Sequence, residues 1–284
     1  MSGDRRLSLA GDVRAFAAAC RKELRVARRY PTQVIGTVFW SVALPGVWVL
    51  MGRAFAGDDP SAKQAFASRA GTAEVAGFVF VGYAMYMWLS WLLWMPGTAL
   101  RDEQVRGSLE AVFLTPASRL VPLFAPPISH LPRTAATLVF MALAMRVLFG
   151  VEVTFDAVVR AIAVVVIAMP ATYAIGSLFA IAVLRLGETG PLVQLVRGLF
   201  SLASGITFPI AMLPVWAQVA AWTLPPTYIV SDIRAVLLRG AGLADVALDL
   251  VFLVVSAAAI AVAAALVFRA IERSARITGM LGHY

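Results

Sequence analysis

The sequence has little cysteine, histidine or charge. It contains one cysteine, Cys20, and two histidines among 284 residues, and Asp, Glu, Lys and Arg together make up 14% of the chain. A single cysteine excludes an internal disulfide and argues against a cysteine-based metal cluster. The apolar segments hold no group of carboxylates and histidines with metal-ligand spacing, and the chain has no GxxxxGK[ST] phosphate loop. The sequence therefore predicts no metal site, no cofactor and no catalytic site in this chain.

Long apolar runs are what the sequence has in abundance. Hydrophobic residues make up 61% of the chain and the mean hydropathy is +0.83, more apolar surface than one soluble core could bury. About 20 apolar residues cross a bilayer core of about 30 Å. Six runs approach or reach that length, at residues 32–52, 75–100, 120–149, 161–184, 192–212 and 250–268. We expect an all-α membrane protein with six transmembrane helices in a single domain over residues 32–284.

The positive charges follow the expected membrane boundaries. The net charge is +8 and the sequence pI is near 10.4. If the N-terminus is cytoplasmic, the inner segments hold 16 Lys and Arg residues and the outer segments hold 7. By the positive-inside rule this excess places both termini in the cytoplasm, and it fits a multi-pass protein of a bacterial plasma (inner) membrane. Because the charges follow the membrane, we expect membrane lipid rather than nucleic acid as a partner.

Residues 1–31, before the first apolar run, have the pattern of an amphipathic helix. Apolar residues recur at steps of three and four from Val13 to Ala27, and four arginines between Arg14 and Arg28 form a separate basic stripe. Such a helix lies in the headgroup layer with its arginines against anionic lipid. It either anchors the first span at the membrane surface or contacts a cytoplasmic partner.

The inner loop between the second and third apolar runs begins with RDEQVRGSLEAVFLTPASR at residues 101–119. Val105, Leu109 and Val112 share one helical face, whereas acidic residues and Arg106 share another. Pro116 disfavours a helical conformation at the residue before it, so the helix should stop there. The pattern predicts a short amphipathic helix at about residues 101–115, with an acidic face that a soluble partner could bind.

This segment resembles a motif of the permeases of ABC-2 type exporters. The motif has Glu, three residues, Gly, Thr or Ser, Leu and Glu, followed by Thr-Pro-x-Ser-Arg, and nine positions between Glu103 and Arg119 match it. Further along, SGITFPIAMLPVW at residues 204–216 and LPPTYIVSDIRAVLLRG at residues 224–240 resemble the family's S-G-x-x-F-P, L-P-x-W and P-x-T-Y patterns. The two matches have the order and the topology of the family.

The resemblance implies a six-helix permease that forms a homodimer or a heterodimer with a second permease protomer. A cytoplasmic ATP-binding subunit, which binds the ATP and Mg, would dock under each protomer. The loop at about residues 101–115 would then be the coupling helix pressed into that subunit. The coupling residues implied in this way are Glu103, Arg106, Gly107, Ser108, Leu109, Glu110, Thr115 and Pro116.

The third apolar run departs from the family pattern. Four prolines lie between positions 122 and 132, and Arg133 follows them. Proline removes a backbone donor and breaks the helical ladder, so we expect the inner half of this span to be kinked or partly unwound. The sequence does not fix where this helix starts.

Residues 209–240 predict a pair of short helices on the outer side. The ten residues between Pro214 and Pro225 span about 15 Å as a helix, too short to cross the bilayer. Aromatic residues on both segments predict a re-entrant hairpin that dips into the outer leaflet. It is either an interfacial aromatic anchor or an outer gate. The gate residues in the second interpretation are Pro209, Pro214, Trp216 and Tyr228.

The second apolar run carries large aromatic residues at the depth of the bilayer centre. Tyr83, Met87, Trp91 and Trp94 fall on one helical stripe, away from the bilayer edges where aromatic belts usually lie. Ordinary helix packing explains such a stripe, and so does a path for bulky amphiphiles lined by aromatic rings and adaptable methionine. We assign Tyr83, Met87, Trp91 and Arg133 to a substrate path. The alternative for Arg133 is a side chain that snorkels to the inner surface.

Two functions are compatible with these features. The first is the transmembrane subunit of an ATP-driven exporter for an amphiphilic drug, lipid or lipid-linked glycan, with ATP hydrolysis on a separate subunit. The second is a non-transporting membrane scaffold or assembly subunit with the same fold. A secondary transporter should have inverted repeats and charged residues at the midplane, and the sequence has neither.

Overall fold

The description of the molecule rests on a computed structural model. It describes residues 28–56, 60–105, 131–186 and 189–278, together with positions 14, 17, 18, 21 and 25. In this part of the chain the regular structure is entirely helical. The nine helices are α1 (Pro31–Ala56), α2 (Pro60–Ala70), α3 (Val75–Val105), α4 (Leu131–Phe149), α5 (Phe155–Leu186), α6 (Thr189–Ala203), α7 (Val215–Ala221), α8 (Pro225–Leu238) and α9 (Ala247–Thr278), with a 3₁₀ turn at Ile210–Met212.

Four of these helices are long and apolar enough to cross a membrane. The spanning stretches are Val75–Trp94 in α3, Leu131–Phe149 in α4, Phe155–Leu178 in α5 and Ala247–Ala264 in α9. Helix α1 contains a shorter apolar stretch, Val38–Gly52. The expectation of an all-α, multi-pass membrane protein is confirmed. Six spans stay a prediction, because the apolar stretch described in α1 is only Val38–Gly52 and α6 has only 15 residues.

The predicted fifth span differs from the structure. The sequence predicts one helix over residues 192–212, whereas α6 has 15 residues and ends at Ala203. Gly205 follows with φ +68°, a left-handed conformation that ends a helix, and the chain then turns into Ile210–Met212. A helix of 15 residues is about 22 Å long. Helix α6 is therefore shorter than the bilayer core, and the turn and the short helices after it occupy the remaining, predicted outer part.

Helices α3 and α4 run in opposite directions, which defines the two ends of the bundle. The Phe80 and Phe149 rings, 5.4 Å apart, join the start of α3 to the end of α4. Trp91, further along α3, lies beside Arg133 near the start of α4. At the same end as Phe80, the Phe66 ring of α2 packs edge-on against Phe78, with centroids 5.3 Å apart. We call this end the predicted outer end, following the orientation inferred from the charges.

Helices α3 and α5 form the centre of the bundle. Helix α5 packs against α3, α8 and α9, while α1 and α4 cover the other side of α3. Alanines alternate with valines on the buried face of α5, and such small residues let helices approach closely in a membrane. The largest fully buried side chains are Phe80, Met85, Leu89, Leu93, Leu138, Met141, Met145, Ile229, Ile233 and Leu253. They form one continuous core from α3 to α9.

Helix α8 lies inside the protein rather than on its surface. The sequence predicts that both short helices dip into the outer leaflet, but eleven of the 14 residues of α8 are buried. Helix α7 fits the expectation better, since Val215 and Trp216 are each 76% exposed. The hairpin thus has one helix in the core and one on its surface. The described positions between 14 and 29 are helical, while most of the predicted helix at residues 1–31 lies outside the described residues.

Candidate functional site

A groove opens between α1, α3, α4 and α5, and we call it the α3–α4 groove. The empty space in the groove and in front of its open mouth is together about 590 Å³. Most of its wall is apolar, and its polar side chains come from α1 and from the first two turns of α4. The lining residues are Ser41, Ala84, Met85, Met87, Trp88, Trp91, Leu92, Leu131, Arg133, Thr134, Thr137, Leu138 and Met169.

Arg133 is the charged residue of the α3–α4 groove. It is half-buried near the start of α4, and its guanidinium carbon lies 5.9 Å from the centroid of the Trp91 ring. Within the described ranges, no carboxylate lies within ion-pair distance of Arg133. A cation–π contact contributes about 0.5–2 kcal/mol, whereas removing a charge from water costs several kcal/mol. The Trp91 ring therefore offsets only part of the free energy that it costs to take this guanidinium out of water.

The structure brings three of the four predicted substrate-path residues together. Met87, Trp91 and Arg133 line the α3–α4 groove. Tyr83 is not part of its wall, and its ring packs 6.1 Å from that of Tyr86, one turn along the helix. Along the same stripe, Trp91 is 43% exposed and Trp94 is 37% exposed. The stripe is therefore exposed in the isolated chain at Trp91 and Trp94, whereas Tyr83 and Met87 are half-buried.

A second arginine, Arg197 of α6, contacts α3 beside this stripe. Its Nε donates a hydrogen bond to Ser90 Oγ at 2.9 Å, and its guanidinium carbon lies 5.0 Å from the Tyr86 ring centroid. Its Nη1 also donates to Gln194 Oε1 at 3.4 Å. In the sequence, Arg197 is a charged residue inside the apolar run at residues 192–212, and no site was predicted for it. Its spacing to Ser90 and Tyr86 could not be found from the sequence, because the contact joins residues more than 100 positions apart.

The predicted coupling residues lie mostly beyond what the structure describes. Helix α3 continues without a break to Val105, so the backbone of residues 101–105, including Glu103, extends the second span. The remaining coupling residues, from Arg106 to Pro116, lie outside the described residues. Their assignment stays a prediction.

The four predicted gate residues occupy different surroundings. Pro209 is buried in the turn after α6, whereas Pro214 and Trp216 are exposed. Tyr228 of α8 packs between Trp222, with ring centroids 5.3 Å apart, and Phe252 of α9, at 4.3 Å. The structure does not bring these residues together. Tyr228 contributes instead to fixing the hairpin against α9.

Arg234 of α8 fastens the turn after α6 to α3. It is 9% exposed, and its Nη1 donates to Gly205 O at 2.5 Å. Its Nη2 donates to Phe78 O and to Ile206 O, each at 3.0 Å. The guanidinium carbon also lies 3.3 Å from the centroid of the Phe78 ring. Three carbonyl oxygens thus hold this charge, and the hydrogen bonds join three separate parts of the chain.

Three buried polar atoms have no hydrogen-bond partner in the described part of the chain. These atoms are Arg234 Nε, Ser204 Oγ and Asp232 Oδ2. Buried groups of this kind cost free energy, so the turn is fixed mainly by the two Nη groups. In the sequence, Arg234 is one of the seven positive charges of the outer segments, and no site was predicted for it. The available signal was the pair of charged residues, Asp232 and Arg234, inside the mostly apolar run of α8.

Arg160 fixes the opposite side of the hairpin. Its Nη2 pairs with Asp156 Oδ2 at 2.7 Å within α5, and its Nη1 donates to Ala241 O at 2.8 Å and to Gly240 O at 3.3 Å. These carbonyls follow the end of α8, where a helix has unpaired acceptors and a negative partial charge. Arg160 therefore connects the start of α5 to the end of α8.

Comparison with known proteins places the chain in a family. A family model described as ABC-2 type transporter matches residues 14–238. The chain belongs to the ABC-2 type transporter family. The match begins in the basic N-terminal segment and ends at Leu238, the last residue of α8, so it includes the α3–α4 groove and the hairpin. No curated protein matches the chain.

Membership makes this ABC-2 chain a permease subunit of an ABC transporter, and the resemblance seen in the sequence is confirmed. Such subunits form the membrane part of the transporter and associate in general with an ATP-binding subunit. The exposed aromatic stripe and the half-open groove are thus features of a transporter's membrane domain.

Proposed function

We propose that this permease is the transmembrane subunit of an ATP-driven exporter that moves an amphiphile across a bacterial plasma membrane. The observation that carries the proposal is the α3–α4 groove in a chain of the ABC-2 family. An amphiphile needs both an apolar wall and a polar end, and this groove has both. Candidate substrate classes are an amphiphilic drug, a lipid or a lipid-linked glycan.

The exposure of the aromatic side chains on α3 supports the proposal. Trp88 is 8% exposed and packs into the core, whereas Trp91 and Trp94 point out of the isolated chain. Large rings and methionine on an exposed stripe can follow an irregular apolar ligand, because Met adapts its shape and aromatic rings tolerate a polar end nearby. In a permease dimer, homomeric or heteromeric, this stripe would border the space between the two protomers.

Energy would enter from a cytoplasmic ATP-binding subunit docked on the segment at about residues 101–115. The continuous α3 supports this route, since a helix of 31 residues joins that segment to the aromatic stripe and to the contacts of Arg234. A stiff helix transmits a displacement at one end to the other. In an exporter of this family, transport would proceed from the side of the ATP-binding subunit to the opposite side of the membrane.

Reconstitution with the ATP-binding subunit tests the proposal. The complex in liposomes should hydrolyse ATP faster when a transported amphiphile is added, and the amphiphile should accumulate on the side opposite the ATP-binding subunit. Dodecyl phosphate, a neutral alkyl glycoside and an alkylammonium salt would cover three classes of head group. A basal rate that none of these classes changes, with no transport, would favour the scaffold or assembly subunit instead.

A further inference from the structure

Arg133 differs from the other arginines packed among these helices in what faces its charge. Arg160 has a carboxylate, Arg197 has a hydroxyl and an amide oxygen, and Arg234 has three carbonyl oxygens. For Arg133 the contact in the described part of the chain is the face of the Trp91 ring. Its guanidinium lines an open groove without an oxygen ligand from the described residues.

We propose that the α3–α4 groove binds an amphiphile with an acidic head group, and that Arg133 is the ligand of that head group. The inference rests on the proposed function and narrows its substrate class. A guanidinium presents five donors in a planar fork that matches a phosphate or a carboxylate with two parallel hydrogen bonds. An arginine among apolar helices requires a partner, and such residues mark ligand pathways.

The groove fits the tail of such a ligand as well as its head. Met87, Trp88 and Leu92 of α3 face Leu138 of α4 and Met169 of α5 across it. These side chains offer an apolar wall that a free inorganic anion would not use. Because Arg133 lies near the start of α4, the head group binds at that end and the tail extends along α3 towards the predicted outer end.

Trp91 has a positioning role in this arrangement. Its ring lies beside the guanidinium and leaves the hydrogen-bonding edge of Arg133 available to an oxygen ligand, since a cation–π contact uses the face of the ring and none of the N–H donors. Replacing Trp91 should therefore weaken binding less than replacing Arg133.

Equilibrium binding to the full-length permease tests the proposal. The protein is placed in nanodiscs of phosphatidylcholine, which has no net charge, and binding of radiolabelled dodecyl phosphate is measured. Unlabelled dodecyl maltoside and inorganic phosphate are the competitors. We expect saturable binding that dodecyl maltoside displaces weakly and that inorganic phosphate displaces only at much higher concentration. A charge-assisted contact of 1.5–3 kcal/mol corresponds to a loss of about ten- to hundredfold in affinity for Arg133→Gln.

Two further variants make the result specific. Arg133→Lys keeps the charge and loses the planar fork, so it should bind between the wild type and Arg133→Gln. Arg146→Gln removes an exposed arginine at the other end of the same helix and should bind as the wild type does. Equal displacement by dodecyl maltoside and dodecyl phosphate in the wild type would overturn the proposal without any variant. Displacement by inorganic phosphate at equal concentration would show a site for a free anion and would also overturn it.

The outcome is separable from that of the proposed function. Binding is measured without ATP and without the ATP-binding subunit, whereas transport requires both. If neutral amphiphiles stimulate ATP hydrolysis in the complex while Arg133→Gln binds dodecyl phosphate as the wild type does, the exporter proposal holds and the acidic head group is wrong. Loss of dodecyl phosphate binding in Arg133→Gln supports the head-group site, whatever the ATPase assay gives.

Discussion

At the scale of single residues, the arginines among the helices show how the same charge serves different roles. Arg234 donates hydrogen bonds to three backbone carbonyls and holds α8 to α3 and to the turn after α6, while Arg133 faces a groove. The two arginines differ because the fold places carbonyl oxygens around Arg234 and none of the described oxygen atoms as a ligand of Arg133. A guanidinium held by backbone carbonyls keeps segments together, and one with no oxygen ligand from the described residues is available to a ligand.

The Arg234 contacts predict a large loss of stability in Arg234→Lys. A lysine keeps the charge but cannot reach carbonyls of Phe78, Gly205 and Ile206 from one planar group, so one or two charge-assisted hydrogen bonds of about 1.5–3 kcal/mol each are lost. Thermal unfolding in detergent should show a clear decrease in Tm. Arg239→Lys, at an exposed arginine just after the same helix, should leave Tm nearly unchanged. Equal Tm values in the two variants would contradict the role of Arg234.

At the scale of secondary-structure elements, the end of α6 is fixed by its contact with α3. Gly82 faces this turn, and a Cβ built there would lie 2.1 Å from Ile206 O and 2.6 Å from Arg234 Nη2. A glycine in the middle of a long helix costs helix propensity. Here it lets the turn approach the α3 backbone closely, and this approach makes the Arg234 hydrogen bonds possible.

Gly82→Ala should therefore destabilise the protein, although alanine favours helix. The added methyl group must displace a backbone carbonyl, and overpacking of this kind costs about 1–3 kcal/mol or more. Gly198→Ala is the matched control, because a Cβ on that glycine of α6 meets nothing within 4 Å. The yield of folded protein and its Tm should fall for Gly82→Ala and should hold or rise for Gly198→Ala. A stable Gly82→Ala variant would mean that the turn is free to move away.

The coupling segment at about residues 101–115 carries its own prediction. Glu110→Lys should leave the permease inserted in the membrane but weaken co-purification of the ATP-binding subunit, or separate ATP hydrolysis from transport. Loss of a charge-assisted contact and repulsion from a basic partner surface are the reasons. Glu74→Lys, at an exposed position just before α3, is the control for the charge change itself. Wild-type complex yield and wild-type transport per ATP in Glu110→Lys would reject the coupling assignment.

At the scale of the whole molecule, the hairpin closes one end of the bundle. Arg160 holds the end of α8 to α5, Arg234 holds its middle to α3, and Tyr228 holds its start to α9. Helix α8 is therefore part of the core, while α7 lies at the surface with Trp216 exposed. An outer gate built on this hairpin would have to move at α7, because moving α8 breaks all three contacts.

The orientation of the bundle is tested by chemical labelling. In a Cys20→Ser background, a cysteine at Ser61 should react with an impermeant thiol reagent in intact cells, since Ser61 is exposed on α2 at the predicted outer end. A cysteine at Ser274, in the last turns of α9, should react only after permeabilisation. Labelling of Ser274→Cys in intact cells would show that the orientation or the even number of spans is wrong.

The sequence by itself determined the class of protein, the approximate places of its long apolar helices and the family. Charge-free runs of sufficient length have one stable arrangement in a bilayer, and motifs in the correct order identify a family without knowledge of contacts. The place where α6 ends, the burial of α8 and the grouping of Met87, Trp91 and Arg133 were decided by the tertiary structure. Apolar periodicity is the same for a helix that faces lipid and one that faces protein, so it could not place α8 in the core. Only the three-dimensional arrangement of carbonyl oxygens could show which arginine is coordinated and which is open to a ligand.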